Sequence, residues 1–161
     1  MMTDQDFMKL AIQSAKDAEA SGGAAIGAIM VKDGKVIAKG WSNPYGKRDP
    51  SNHGEIDCIR NCARENDLMD MKGCTLYGTL EPCSMCTGAA LWAGVDKVVF
   101  GAYARDVAGN DYEYDDYSSE KLAMTSRKLA DPNRGKIEIV GGILRNECKE
   151  LLKDYMGWQK Q

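Results

Sequence analysis

Two short segments hold residue types able to do chemistry together: His53-Gly54-Glu55 and Pro82-Cys83-Ser84-Met85-Cys86. Two cysteines three positions apart at the start of a helix can put both thiolates on one ion, and one imidazole supplies a third ligand. Three protein ligands leave the fourth tetrahedral position open, the layout of catalytic rather than structural zinc. A cation held this way lowers the pKa of a bound water toward about 7. Glu55 is not needed as a ligand. A carboxylate there can take a proton from that water and pass it on, acting as general base and then general acid. A purely structural site has no use for it, which argues against an inactive zinc-stabilised binding module. The bland alternative is a redox-active or merely buried Cys-x-x-Cys beside a structural histidine. Against it, His53 is the chain's only histidine. Each segment also opens a predicted helix, whose free N–H groups and dipole favour thiolate. Cys58, Cys62, Cys74 and Cys148 read instead as core thiols, the first two one helical turn apart.

The elements that must position these groups follow from pattern. Phe7, Leu10, Ala11, Ala15 and Ala18 recur at near-helical spacing over 4–20, with Thr3 or Asp4 available as cap and Ser21-Gly22-Gly23 as stop. Two strand-like runs, from Ile26 to Val31 and from Val36 to Ala38, flank Asp33-Gly34, a strong hairpin signal. A polar loop is expected over 42–52. A helix follows from about His53 to Glu65 with Ile56 and Ile59 inward, then a strand over 74–80. A second helix runs from about Ser84 to Gly94, and a strand over 97–101. The 102–135 stretch is mostly polar, with a helix expected near 117–129. A last strand spans 137–140 and a last helix 144–158, with Leu144, Cys148, Leu151, Leu152 and Tyr155 at core spacing. Helices interleave with strands, so the class is α/β, one sheet with helices on its faces.

The chain has 161 residues, enough for a single domain over 1–161. No apolar run approaches the length of a membrane span, and the acidic start lacks the features of a secretory signal. A cytoplasmic protein with reduced thiols is expected. The net charge is −3 and the pI near 5.2. The basic footprint usual for a phosphate-backbone partner is missing, so nucleic acid is the unlikely partner and a small molecule the expected one.

His-x-Glu followed by Pro-Cys-x-x-Cys is the signature of zinc nucleobase deaminases, and the chain resembles the cytidine deaminase-like superfamily. The resemblance is clear from Ile26 to about Gly101 and weaker beyond. It implies a three-layer α/β/α fold with a five-stranded mixed sheet, zinc held by His53, Cys83 and Cys86, a proton-shuttling Glu55, and a homodimer. The segment from Thr79 to Ala89 resembles the free-base and transfer-RNA deaminases more than the free-nucleoside branch.

Within that group the spacing most resembles guanine deaminases, making guanine the leading expected substrate. Gly40 reaches His53 without a gap, Ala25-Ile26-Gly27 stands where that branch has Pro-Phe-Gly, and the acidic run 111–116 resembles its late substrate-contacting segment. Asp116, or else Asp115, is the candidate contact there, with a solvated acidic loop as the alternative. Ile26 and Gly54 are further candidates for the pocket wall. Transfer-RNA adenosine deaminases are the second branch, resembled through Gly40-Trp41, Pro44, Gly46, Asp49 and Pro50 and through the tail from Ile137 to Leu152. Cytosine deaminases are the third, sharing His-Gly-Glu and the run from Met85 to Ala89. These branches place a ring-reading asparagine where this chain has Ser42, with Asn43 next. Either Asn43 serves after a one-residue shift, Ser42 makes a different contact, or Asn43 only caps the turn before Pro44.

Overall fold

The structure is a computed structural model, and it describes residues 1–107 and 137–153. Helix α1 spans Asp4–Ala20. Thr3 caps it: the Asp6 N–H donates to the Thr3 hydroxyl while the Asp6 carboxylate accepts from the Thr3 N–H, a reciprocal capping box. Its buried face is Phe7, Met8, Ala11, Ala15 and Ala18, with Leu10 at the margin. Strands β1 (Gly27–Lys32) and β2 (Lys35–Trp41) form the expected hairpin. Asp33 and Gly34 both take positive φ, the backbone a two-residue turn needs to match the twist of its strands.

The segment expected to be loop throughout contains a short helix, α2 (Pro44–Lys47), started by Pro44 in its first turn and capped by Asn43. Helix α3 (Gly54–Asn66) begins directly after His53. Then come β3 (Cys74–Leu80), α4 (Ser84–Trp92), β4 (Lys97–Ala102), the short α5 (Ala104–Val107), β5 (Glu138–Gly141) and α6 (Arg145–Leu151). The helix expected near 117–129, Asp115, Asp116 and Tyr155 lie outside the described residues. Leu144 does not join α6 but precedes it with φ +51.

The five strands form one mixed sheet in the order β2-β1-β3-β4-β5. β1 pairs antiparallel with β2 and β3, whereas β3–β4 and β4–β5 are parallel. Strand alternation divides the apolar residues between two cores. Ala28, Met30, Leu76 and Val98 pack with Cys58, Cys62 and Ala90 on the α3–α4 face. Ile29, Val31, Tyr77 and Val99 pack with Phe7, Met8, Ala11 and Cys148 on the α1–α6 face. The result is the three-layer α/β/α arrangement with helices on both faces. Cys58, Cys62, Cys74 and Cys148 are fully buried, as expected of core thiols. Among the described residues no helix is long and apolar enough to cross a membrane.

Two glycines let helices lie flush on the sheet. A Cβ on Gly40 would come within 2.2 Å of the Cys58 backbone nitrogen in α3, and one on Gly27 within 2.4 Å of the Ala15 nitrogen in α1. Only hydrogen fits between these backbones.

Candidate active site

α3 and α4 pack on the same face, and their N-termini meet beyond the C-terminal end of β3. That is where crevices form in open α/β sheets. His53 occupies the N-cap position of α3 and Cys83 that of α4, with Cys86 one turn further in. Neither cap residue spends its side chain on a capping hydrogen bond. The His53 Nδ1 lies 3.7 Å from the Cys83 sulfur and 3.6 Å from that of Cys86, and the two sulfurs are 3.6 Å apart. A tetrahedral ion at ordinary zinc distances, ~2.3 Å to sulfur and ~2.0 Å to nitrogen, requires edges of roughly 3.5–3.8 Å. The donor set therefore fits zinc. Among the described residues it is the one cluster of three such groups able to hold a metal ion.

Protons in this cluster are shared unequally. A hydrogen bond with Cys86 is the largest influence on Cys83; with the neighbouring His53 it brings that thiol down to about 4 despite burial. Cys86 moves the opposite way, raised by its bond to Cys83 and by desolvation. The two thiols titrate as a coupled pair. Burial alone would lower the proton affinity of His53, but the hydrogen bond and negative charge of Cys83, with the charge of Glu55, raise it overall. Glu55 is 4% exposed. Desolvation raises its pKa, with His53 opposing. Its carboxylate meets the Cys86 thiol and lies over Gly78 of β3, where an added Cβ would stand 3.4 Å from Oε1. The carboxylate thus sits against the same three side chains without being one of the converging donors.

The residues expected to touch substrate are placed as follows. Gly54 opens α3 close to the Ile26 carbonyl, and Ile26 is itself buried. Ser42 is buried and donates to the Asn52 carbonyl. Asn43 Oδ1 accepts from the Gly46 N–H at 2.9 Å, the turn-capping role. Sequence reasoning missed the polar residues that fasten this loop to α3: Asn52, Asp57, and the Asp49–Arg60 ion pair.

The chain matches the cytidine and deoxycytidylate deaminase zinc-binding region over residues 1–102. It is 34% identical over 156 residues to the tRNA-specific adenosine deaminase of Haemophilus influenzae, covering 94% of this chain and 82% of that protein. To the guanine deaminase of Bacillus subtilis it is 36% identical over 108 residues, covering 66% of this chain and 69% of that protein. A solved structure from a study of A-to-I editing by tRNA:A34 deaminases superimposes with a TM-score of 0.74 at 28% identity, covering 91% of this chain and 98% of that one. The chain belongs to the cytidine and deoxycytidylate deaminase zinc-binding family, and is a zinc-dependent hydrolytic deaminase of the cytidine deaminase-like fold.

Two expectations are overturned. Guanine ranked first on local spacing, yet the sequence similarity above 30% identity that spans nearly the whole chain is to proteins named tRNA-specific adenosine deaminase, and the sequence match to guanine deaminase is shorter. The segment from Gly40 to His53 carried features of both branches, so its gap-free length could not separate them. The expectation against nucleic acid fails on the same relatives. It rested on net charge, which averages over the surface and is silent on local cations such as the exposed Arg48 on the segment leading to His53.

Proposed function

We propose that this chain deaminates adenosine to inosine within transfer RNA. The observation that carries this reading is the near-full-length similarity to tRNA-specific adenosine deaminases, joined to a donor set and a buried carboxylate suited to hydrolytic deamination. His53, Cys83 and Cys86 would hold a zinc ion, which would supply the Lewis acidity that makes water nucleophilic near neutral pH. Glu55 accepts a proton from the attacking water and delivers it to N1 of the adenine ring as oxygen adds at C6. It then carries a second proton to the exocyclic nitrogen, which leaves as ammonia while C6 becomes a carbonyl. Burial, which raises Glu55's affinity for a proton, suits a group that must hold one through part of the cycle.

The test is inosine formation in a tRNA anticodon stem-loop with adenosine at the wobble position, beside ammonia release from guanine and cytosine. The wild type is expected to act on the RNA, and Glu55→Gln to keep zinc while losing a factor of at least ~10²–10⁴ in turnover. Turnover of a free base with none on the RNA would reject the substrate. Loss of zinc in Glu55→Gln as complete as in Cys83→Ala would make Glu55 a ligand instead.

A further inference from the structure

The 41–52 segment carries the chain from the sheet to His53, and a single buried carboxylate fastens it. Asp57 is 4% exposed and lies one turn into α3, its N–H bonded to the His53 carbonyl at 2.9 Å. Its Oδ1 accepts from Lys47 Nζ at 2.5 Å and from Asn52 Nδ2 at 3.0 Å, and its Oδ2 from the Trp41 N–H at 3.2 Å. These three donors come from the end of β2, from α2 and from the residue before His53. Asn52, 1% exposed, extends the connection: its Oδ1 accepts from the Asn43 N–H at 2.9 Å, and its carbonyl accepts from the Ser42 hydroxyl. Lys47 Nζ also stands 5.5 Å from the centre of the Trp41 ring. Every group facing the carboxylate is a donor. An amide in its place would offer one accepting oxygen and set its NH₂ against a donor on the other side.

We infer that Asp57 is a positioning residue for the reaction: through Lys47, Asn52 and the Trp41 amide, its carboxylate holds the 41–52 segment against α3 in the form that meets the substrate beside His53. The inference rests on the proposed reading only for the RNA used in the assay. A second ion pair, Arg60 with Asp49, ties the far side of the same segment to α3, with Arg60 also bonded to the Ser51 hydroxyl. It keeps the connection in place when the first is cut, so the fold and the metal donors survive the variants that test the inference.

The variants are Asp57→Asn and Lys47→Met, with Lys47→Arg as the conservative rescue. Hydrogen exchange of the 41–52 amides is expected to rise in the first two while β3 and α4 stay protected, and zinc to remain near one per chain. A charge-assisted bond lost from the bound form is worth about tenfold in KM, with kcat nearly unchanged. Lys47→Arg is expected to restore both exchange and KM. Unchanged exchange and KM in Asp57→Asn and Lys47→Met would overturn the inference. So would zinc loss in step with activity, which would place the effect on the metal rather than on the segment. Should the wild type act on a different substrate, the proposed function fails alone: the exchange readout stands, and the KM-to-kcat split is measured on that substrate.

Discussion

Three side chains within 3.7 Å of one another at two helix starts make an arrangement that proton sharing dominates until a metal arrives. In the metal-free protein the thiol of Cys83 sits at about 4, held down first by the bond from Cys86 and then by His53. A thiol lowered this far favours the thiolate form of Cys83 near neutral pH. The other thiols are raised, Cys86 by its bond to Cys83, and Cys58, Cys62, Cys74 and Cys148 by desolvation. Iodoacetamide at pH 6–7 is therefore expected to alkylate Cys83 first in chelator-treated protein and to leave it unmodified when zinc is restored, as peptide mass mapping would report. Equal labelling of several cysteines at that pH would refute the selective lowering of Cys83. At this scale the sequence was most informative. The signature His53-Gly54-Glu55 and Pro82-Cys83-x-x-Cys86 announced the donor set, and the packing of α3 on α4 is what brings the two helix starts together. The sequence left several roles open for Ser42 and Asn43: Asn43 takes the turn-capping one, bonded to the Gly46 N–H, while the Ser42 bond to the Asn52 carbonyl is one that no local rule announces.

Elements bring those residues within reach of one another, and the closeness of α3 to the sheet is set by Gly40. A Cβ there would meet the backbone at the Cys58 nitrogen and the Gly54 carbonyl, atoms that cannot rotate away. Gly40→Ala is expected to push α3 outward and to destabilise by about 1–3 kcal/mol or more, the usual range for overpacking. Since α3 carries Glu55 and starts beside His53, zinc retention should fall with the melting temperature. Gly88→Ala in α4 is the control: nothing lies within 4 Å of its Cβ position, and alanine is the better helix former by up to about 1 kcal/mol. A Gly40→Ala protein that melts and holds zinc like the Gly88→Ala protein would remove this role. The hairpin around Asp33-Gly34 and the α1 cap at Thr3 were legible because each depends on a few adjacent residues. Helix α2 was not, because four residues carry no periodicity, and its start rests on Asn43 and Pro44 inside a run rich in turn formers. The tie from Asp57 to Lys47 and Asn52 was invisible for a different reason: it joins separate elements, and a carboxylate on a helix reads as solvated until the loop is folded over it.

For the whole molecule, bulk charge and local chemistry point in opposite directions, and the salt response of catalysis separates them. A chain with net charge −3 repels a polyanion at long range. Contacts to RNA phosphates then depend on cations close to the site rather than on the net charge. The exposed Arg48 lies on the segment that leads to His53, so such a contact is available there. Each phosphate neutralised on a single strand adds roughly −0.7 to the slope of log affinity against log salt. With two or three contacts, KM for the anticodon stem-loop is expected to rise about tenfold between 50 and 200 mM salt, while kcat, set by groups buried around the zinc donors, stays level. Arg48→Ala should flatten the slope by a fraction of one unit without altering zinc content. Initial-rate kinetics across that salt range provide the measurement. A KM for RNA that does not respond to salt would show that phosphate contacts contribute nothing, and recognition would then have to come from the base alone.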